Sequence, residues 1–318
     1  MSATTDSAEK PGGAPRSGVC SRRPPRGVRW TMTILMVIAL PCARATQADL
    51  RVSWAGIERR VVAALPTDQG RRATVVSHMS LTASFATRAR WTFVLARVPG
   101  MHFSAAQMKP VQGGPLAECF VRNAVPHCHY SRPPAIHSER WFDIPLHFLS
   151  LRVVHAGPNR TRPLLLFAAN SAVAMDGGHA IFTRLYTYDR ARDRFSVAFA
   201  DITGSNNNQR TQFMTHGPLR GDVIETVPTG TPPFVYWVSV YAMGQAGRYE
   251  RILRYRSDTR YGDGNRLSVV DSEMANILHR LGKWHPGEPL PIPRHRQSFC
   301  AGGLVLRHWE EWCRPKAR

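Results

Sequence analysis

The sequence predicts an all-β fold built mainly from antiparallel meanders, either propeller-like or a β-sandwich, with one short helix near residues 271–282. Three observations carry that expectation. From Arg72 onward the chain breaks into short β-branched and aromatic runs, separated by Gly, Pro, Asn and Asp. One segment, Asp271–Gly282, places Met274, Ile277, Leu278 and Leu281 at helical period between a capping residue and a closing glycine. A weak internal repeat links Arg184-Leu185-Tyr186-Thr187-Tyr188 and Phe195-Ser196-Val197 to Arg251-Ile252-Leu253-Arg254-Tyr255 and Leu267-Ser268-Val269. Each copy follows an apolar run, Leu164–Ala169 or Phe234–Tyr241, so the expected unit is a three-stranded meander.

Taken from the N-terminus, residues 1–21 are rich in Pro, Gly, Ser and Ala and show no apolar period. Arg22, Arg23, Arg26 and Arg29 then precede the apolar run Trp30–Leu40 and the ending Pro41-Cys42-Ala43-Arg44-Ala45. A basic segment, a short apolar core and a small-x-small ending form a secretory signal peptide, so cleavage is expected after Ala45. A run of about ten apolar residues is too short to cross a hydrocarbon core that needs roughly twenty. Leu40 and Pro41, rather than small residues, stand before Cys42, which argues against lipidation. The expected organisation is a leader at 1–45, a β-rich domain at 46–293 and a docked tail at 294–318.

Within the domain, Asp49–Leu65 carries apolar residues at mixed spacing and reads as either a helix or a strand. Strands are expected at Ala73–Leu81, Trp91–Val98, Phe148–Val154, Pro163–Ala169, Ala180–Tyr188 and Phe195–Phe199. Further strands are expected at Val223–Val227, Val235–Ala242, Tyr249–Arg256 and Leu267–Val270. Gly157-Pro158-Asn159-Arg160 and Gly244–Gly247 suit hairpin turns. Trp284–Pro293 holds four prolines and reads as a spacer before the tail.

The mature chain would keep 35 of 42 basic and 20 of 22 acidic side chains, a net charge of about +15. That balance favours anionic partners. Of the 42 basic residues 38 are Arg, which a GC-rich coding sequence also produces, and no run of five like charges occurs. Cys119, Cys128, Cys300 and Cys313 remain after cleavage, and an even number in an oxidising compartment reads as two disulfides. The local pairs Cys119–Cys128 and Cys300–Cys313 are favoured; loop entropy gives each about 2–3 kcal/mol.

Gly204-Ser205-Asn206-Asn207-Asn208-Gln209, Gly217-Pro218-Leu219-Arg220-Gly221, Tyr236-Trp237, Arg254-Tyr255-Arg256-Ser257 and Asp263-Gly264-Asn265 resemble an uncharacterised group of exported proteobacterial proteins. The resemblance covers about residues 164–289. It implies a Gram-negative envelope setting, periplasmic or secreted, and no particular activity.

Signatures of common enzymes are missing from the sequence: no Gly-x-Ser-x-Gly elbow, no His-Glu-x-x-His, no phosphate-cradling Gly-x-x-x-x-Gly-Lys and no Cys-x-x-Cys. Three constellations remain. His127 and His129 flank Cys128 and would share one strand face, a pairing suited to copper or zinc, although a structural hairpin explains them as well. Asn206, Asn207, Asn208, Gln209 and Arg210 offer amide donors and acceptors for glycan hydroxyls, with Arg210 for a carboxylate or phosphate; a plain loop accounts for them equally. Asp201, Asp222 and Glu225 are candidate acid/base carboxylates, provided that two of them stand about 5–10 Å apart.

The expectation is an exported protein that binds or scaffolds an envelope glycan, lipid head group or protein. It requires no cofactor, has no transmembrane span after cleavage and does not act on cytosolic nucleic acid. A hydrolase of envelope polymers and a copper- or zinc-handling protein are the alternatives.

Overall fold

Pleat alternation in this chain buries both faces of most sheets, and the result is a stack of layers rather than an isolated sheet. The computed structural model describes residues 53–105, 107–157, 161–174, 177–204, 209–261, 268–289 and 291. The leader, Asn206–Asn208 and the proposed Cys300–Cys313 bridge with its tail lie outside the described residues.

The chain opens with α1 (Trp54–Ala64), so the ambiguous first segment is a helix. Ser53 caps it, its hydroxyl accepting the Gly56 N–H at 3.2 Å. The first sheet has the order β1 (Thr74–Ser80), β2 (Trp91–Arg97), β5 (Leu116–Arg122) and β6 (Val125–His129), all antiparallel. A short helix, α2 (Thr82–Phe85), joins β1 to β2. The hairpin β3 (Met101–Ser104) and β4 (Lys109–Gln112) is inserted before β5.

The second sheet is a sequential meander of β7 (His147–Ala156), β8 (Arg162–Asn170), β9 (Ala180–Asp189) and β10 (Arg194–Gly204). The third repeats that plan with β11 (Arg210–Phe213), β12 (Val223–Thr229), β13 (Val235–Met243) and β14 (Tyr249–Arg256). The repeat is therefore real in kind but displaced by one strand. Its unit is a four-stranded meander in which β10 corresponds to β14, whereas the sequence echo aligned β9 with β14.

That displacement has a local cause. Of the stretch expected as the strand Leu267–Val270, the described residues, Ser268 onward, open a helix instead, α3 (Val269–Ser272), followed by α4 (Met274–Arg280). Ser268, rather than Asp271, caps this helix: its hydroxyl accepts the Asp271 N–H at 3.2 Å. The expected helix at 271–282 is thus α4 preceded by one more turn, and it ends before Gly282, whose φ of +65° suits a left-handed stop.

Side chains of opposite parity on each strand join different layers. On β2, Val94 and Ala96 pack toward α1, while Trp91, Phe93 and Leu95 face the second sheet. On β8, Leu165 and Phe167 meet the first sheet, while Leu164 and Leu166 meet the third. On β13, Tyr236, Val238 and Val240 pack on α3 and α4 through Val269, Val270, Ile277 and Leu278. The layer order is helix, sheet, sheet, sheet, helix pair, with no closed barrel.

Cys119 and Cys128 face each other across β5 and β6 and form the disulfide, with Cα atoms 4.0 Å apart. No helix of the described residues is long and apolar enough to cross a membrane.

Candidate functional site

The seam between the second and third sheets carries the candidate carboxylate Asp201, and a β-bulge in β10 shapes it. Phe195, Val197, Phe199 and Asp201 share one parity in sequence, so an unbroken β10 would point all four toward the first sheet. The register slips between Val197 and Phe199, leaving Ala198 as an extra residue. Phe195 therefore packs with the first sheet, whereas Phe199 pairs with Leu185 and turns, like Asp201, toward the third.

The cleft that results has a volume of about 470 Å³ and is open to solvent. Val197, Phe199 and Asp201 of β10 form one wall; Tyr241, Arg248 and Tyr249 form the other. Phe199 meets Tyr241 and Tyr249 edge-on, at ring-centroid distances of 5.3 and 5.8 Å. The Tyr249 hydroxyl donates to the Gly221 carbonyl at 2.7 Å, which ties the cleft to the β11–β12 connection. Gly221 has φ +93°, and a Cβ there would lie 3.1 Å from the Ala156 Cα, so this Gly-Pro-Leu-Arg-Gly segment seats directly on the second sheet.

The three candidate carboxylates surround this cleft in different states. Asp201 lines it and accepts a hydrogen bond from the Thr211 hydroxyl. Glu225 accepts from the Tyr241 hydroxyl at 2.8 Å, and burial, then the Glu225 charge, push the tyrosine's pKa up. Asp222 follows Gly221; burial pushes its carboxyl up to about 6, against the opposing pull of Lys283. Tyr249 in turn is pushed up by burial and by the charge of Asp222.

The amide run contributes less that can be described. Gln209 is turned inward on its own loop, its Oε1 accepting the Gly204 N–H at 3.1 Å. Arg210 opens β11 opposite Thr226 with its side chain exposed. Tyr236 is fully buried core, whereas Trp237 is half-buried with the Arg254 guanidinium 4.4 Å above its ring. His127 and His129 occupy one exposed face of β6, as strand period requires, with Cys128 on the other face. Among the described residues no group of three or more His, Cys, Asp or Glu converges on a point.

Two further polar centres were not visible in the sequence, since their members come from distant strands. In the first seam, Glu118 of β5 accepts from Arg184 and from the Tyr186 hydroxyl of β9, all on the apolar interface between the first two sheets. Burial raises the Glu118 carboxyl against the attraction of Arg184 and the Tyr186 hydrogen bond. Under the third sheet, Glu273 is fully buried and accepts from Tyr255 at 2.8 Å, Tyr261 at 2.5 Å and Asn276 at 2.9 Å. Both are buried and hydrogen-bonded within the stack, which satisfies these polar atoms inside it.

No protein-family model, curated protein or solved structure matches this chain.

Proposed function

We propose that the protein is an exported envelope protein that binds or scaffolds an envelope component without chemical turnover, through the cleft between β10 and the β13–β14 hairpin. The observation that carries this reading is the cleft itself: aromatic walls from Phe199, Tyr241 and Tyr249 beside Arg248 and Asp201. Part-exposed rings flanked by a few polar groups are suited to stacking on sugar rings and gripping their hydroxyls. Its export is supported by the basic and apolar leader, by the Cys119–Cys128 bridge and by the resemblance to exported proteobacterial proteins. The test is thermal stabilisation of the purified protein by soluble envelope-glycan fragments, lost in Tyr249→Ala and retained in Asn206→Ala/Asn208→Ala. Stabilisation that survives Tyr249→Ala but not the asparagine pair would move the contact surface to the amide loop.

One observation favours a hydrolase as a second reading. Burial raises the Asp222 carboxyl to about 6, which suits proton donation, with Glu225 three residues on in β12 and Asp201 lining the cleft. Turnover of an envelope glycan by the purified protein, abolished by Asp222→Asn or Glu225→Gln, would establish it over simple binding.

A further inference from the structure

The edge strand β14 carries an arginine pattern that its sequence spacing conceals. Arg251 and Arg254 are three apart, so a regular strand would send them to opposite faces. The register between β13 and β14 slips at Tyr241, with Ile252 as the extra residue. Arg251 therefore stands opposite Tyr241, Arg254 opposite Ser239 and Arg256 opposite Trp237. Tyr241, Ser239 and Trp237 share one face of β13, so all three arginines lie on the cleft side of the sheet.

These side chains are exposed, as is Arg248 at the cleft wall, and none of the four forms an ion pair with a described residue. Arg254 is held over the Trp237 ring. From Arg251 to Arg256 the row spans the four register steps from Tyr241 to Trp237, about 14 Å at roughly 3.4 Å per residue. Rings alternate with it: Tyr249, Tyr241 and Trp237. Of the acidic groups around the cleft, Glu225 and Asp201 are hydrogen-bonded to Tyr241 and Thr211, and Asp222 is part-buried close enough for its charge to act on Tyr249.

Resting on the binding reading above, we infer that the ligand is an acidic glycan, its sugar rings on Tyr249 and Tyr241 and its carboxylates on Arg248, Arg251, Arg256 and the Arg254 guanidinium that Trp237 holds in place. Guanidinium forks pair bidentately with carboxylates, and the aromatic faces between them accept ring stacking. Single-stranded nucleic acid would fit rings and cations too, but an exported, disulfide-bonded chain meets glycans rather than cytosolic nucleic acid.

The experiment measures affinity of the purified full chain for an oligogalacturonate, a neutral dextran oligomer of equal length, oligo(dT), and anionic phospholipid vesicles. Oligogalacturonate should bind at least about tenfold more tightly than dextran, with affinity falling as salt rises. Arg251→Ala/Arg254→Ala should lose at least about tenfold while its thermal midpoint stays within a few degrees of the parent. Should that pair fold poorly, Arg251→Lys/Arg254→Lys keeps the charges and removes the planar forks, and a fall of at least about threefold is expected. Equal affinity for dextran and oligogalacturonate, abolished by Tyr249→Ala, would overturn the acidic class and leave the glycan cleft standing. Tighter binding of oligo(dT) or of vesicles would overturn the glycan as ligand, and binding of none of the four would overturn both readings.

Discussion

The second sheet has two seams, and they differ in how they are closed. Toward the first sheet, Phe93, Phe167, Leu95 and Leu165 are fully buried, and Phe120, Tyr186 and Phe195 interlock with centroids 5.0 Å apart. The buried carboxylate inside, Glu118, has Arg184 and Tyr186 as partners. The rim is tied as well, since Asp193 in the β9–β10 turn accepts from Tyr188 at 2.5 Å, Trp91 at 2.9 Å and Arg122 at 2.8 Å. Those donors hold its carboxyl below the usual range. Toward the third sheet, Phe199, Tyr241 and Tyr249 remain part-exposed, and Asp222 is part-buried with the Lys283 charge acting on its carboxylate. The same meander plan thus yields one sealed interface and one with room for a ligand. Side-chain volume decides the difference, because closely packed aromatics exclude water and a bulged edge strand does not.

Truncating each seam in turn tests this contrast most strongly. Phe93→Ala should cost about 3–5 kcal/mol of unfolding free energy by denaturant titration, because a fully buried ring leaves a cavity. Phe199→Ala, on the open seam, should cost no more than about 1–2 kcal/mol, since its ring is already partly hydrated. Equal losses would mean that both seams are sealed.

Charge gives the next largest effect. Arg184→Met leaves the Glu118 carboxylate buried without its cation and should cost about 3 kcal/mol, the low end of the usual penalty because Arg184 is itself 24% exposed. The double change Glu118→Leu/Arg184→Met should recover most of that loss, and a double variant as unstable as the single one would show that the pair does more than satisfy itself. On the open seam, Tyr249→Phe removes one hydrogen bond to the Gly221 carbonyl and should cost about 1 kcal/mol.

The smallest expected effect is a pH slope. Asp222 binds its proton more tightly in the folded chain, at about 6, than in the unfolded chain, at roughly 4. Stability from this group is therefore fully present below about pH 4 and declines as pH rises to about 6. Asp222→Asn should flatten that decline and raise the thermal midpoint at pH 7 relative to the parent. An unchanged midpoint–pH curve would mean that the carboxylate is fully solvated in the cleft.

Much of the strand pattern was legible in the sequence. Trp91–Val98 is β2 to within one residue, Ala180–Tyr188 is β9 extended by one, and Tyr249–Arg256 is β14 as written. The strands β5 and β6 were not among those expected, although the Cys119–Cys128 pairing pointed to a staple there, and β3, β4 and β11 are four residues each, with Pro110 in β4, so neither period nor propensity marks these three. Over Ser268–Val270 the expected strand gives way to a helix because a serine cap followed by Asp271 stabilises a helical turn over a β-branched pair. For the candidate site, the sequence pointed to the carboxylates Asp201, Asp222 and Glu225 but not to Tyr241, Tyr249 or Arg248 that stand with them. Aromatic residues in strands alternate like any core residue, and nothing in their spacing separates a buried ring from one lining a cleft.

By itself, then, the sequence determined what depends on neighbours along the chain: antiparallel strands from alternation, turns from glycine and asparagine, a helix from a 3.6-residue period, and the Cys119–Cys128 pairing from short loop length. Tertiary structure alone decided which face each strand presents to which layer. One extra residue at Ala198 and one at Ile252 reverse the facing of every side chain beyond them. Such slips arise from how neighbouring sheets pack and twist, so they leave no mark on local periodicity, yet they bring Phe199 and Asp201 to the cleft and place Arg251, Arg254 and Arg256 on one side of β14.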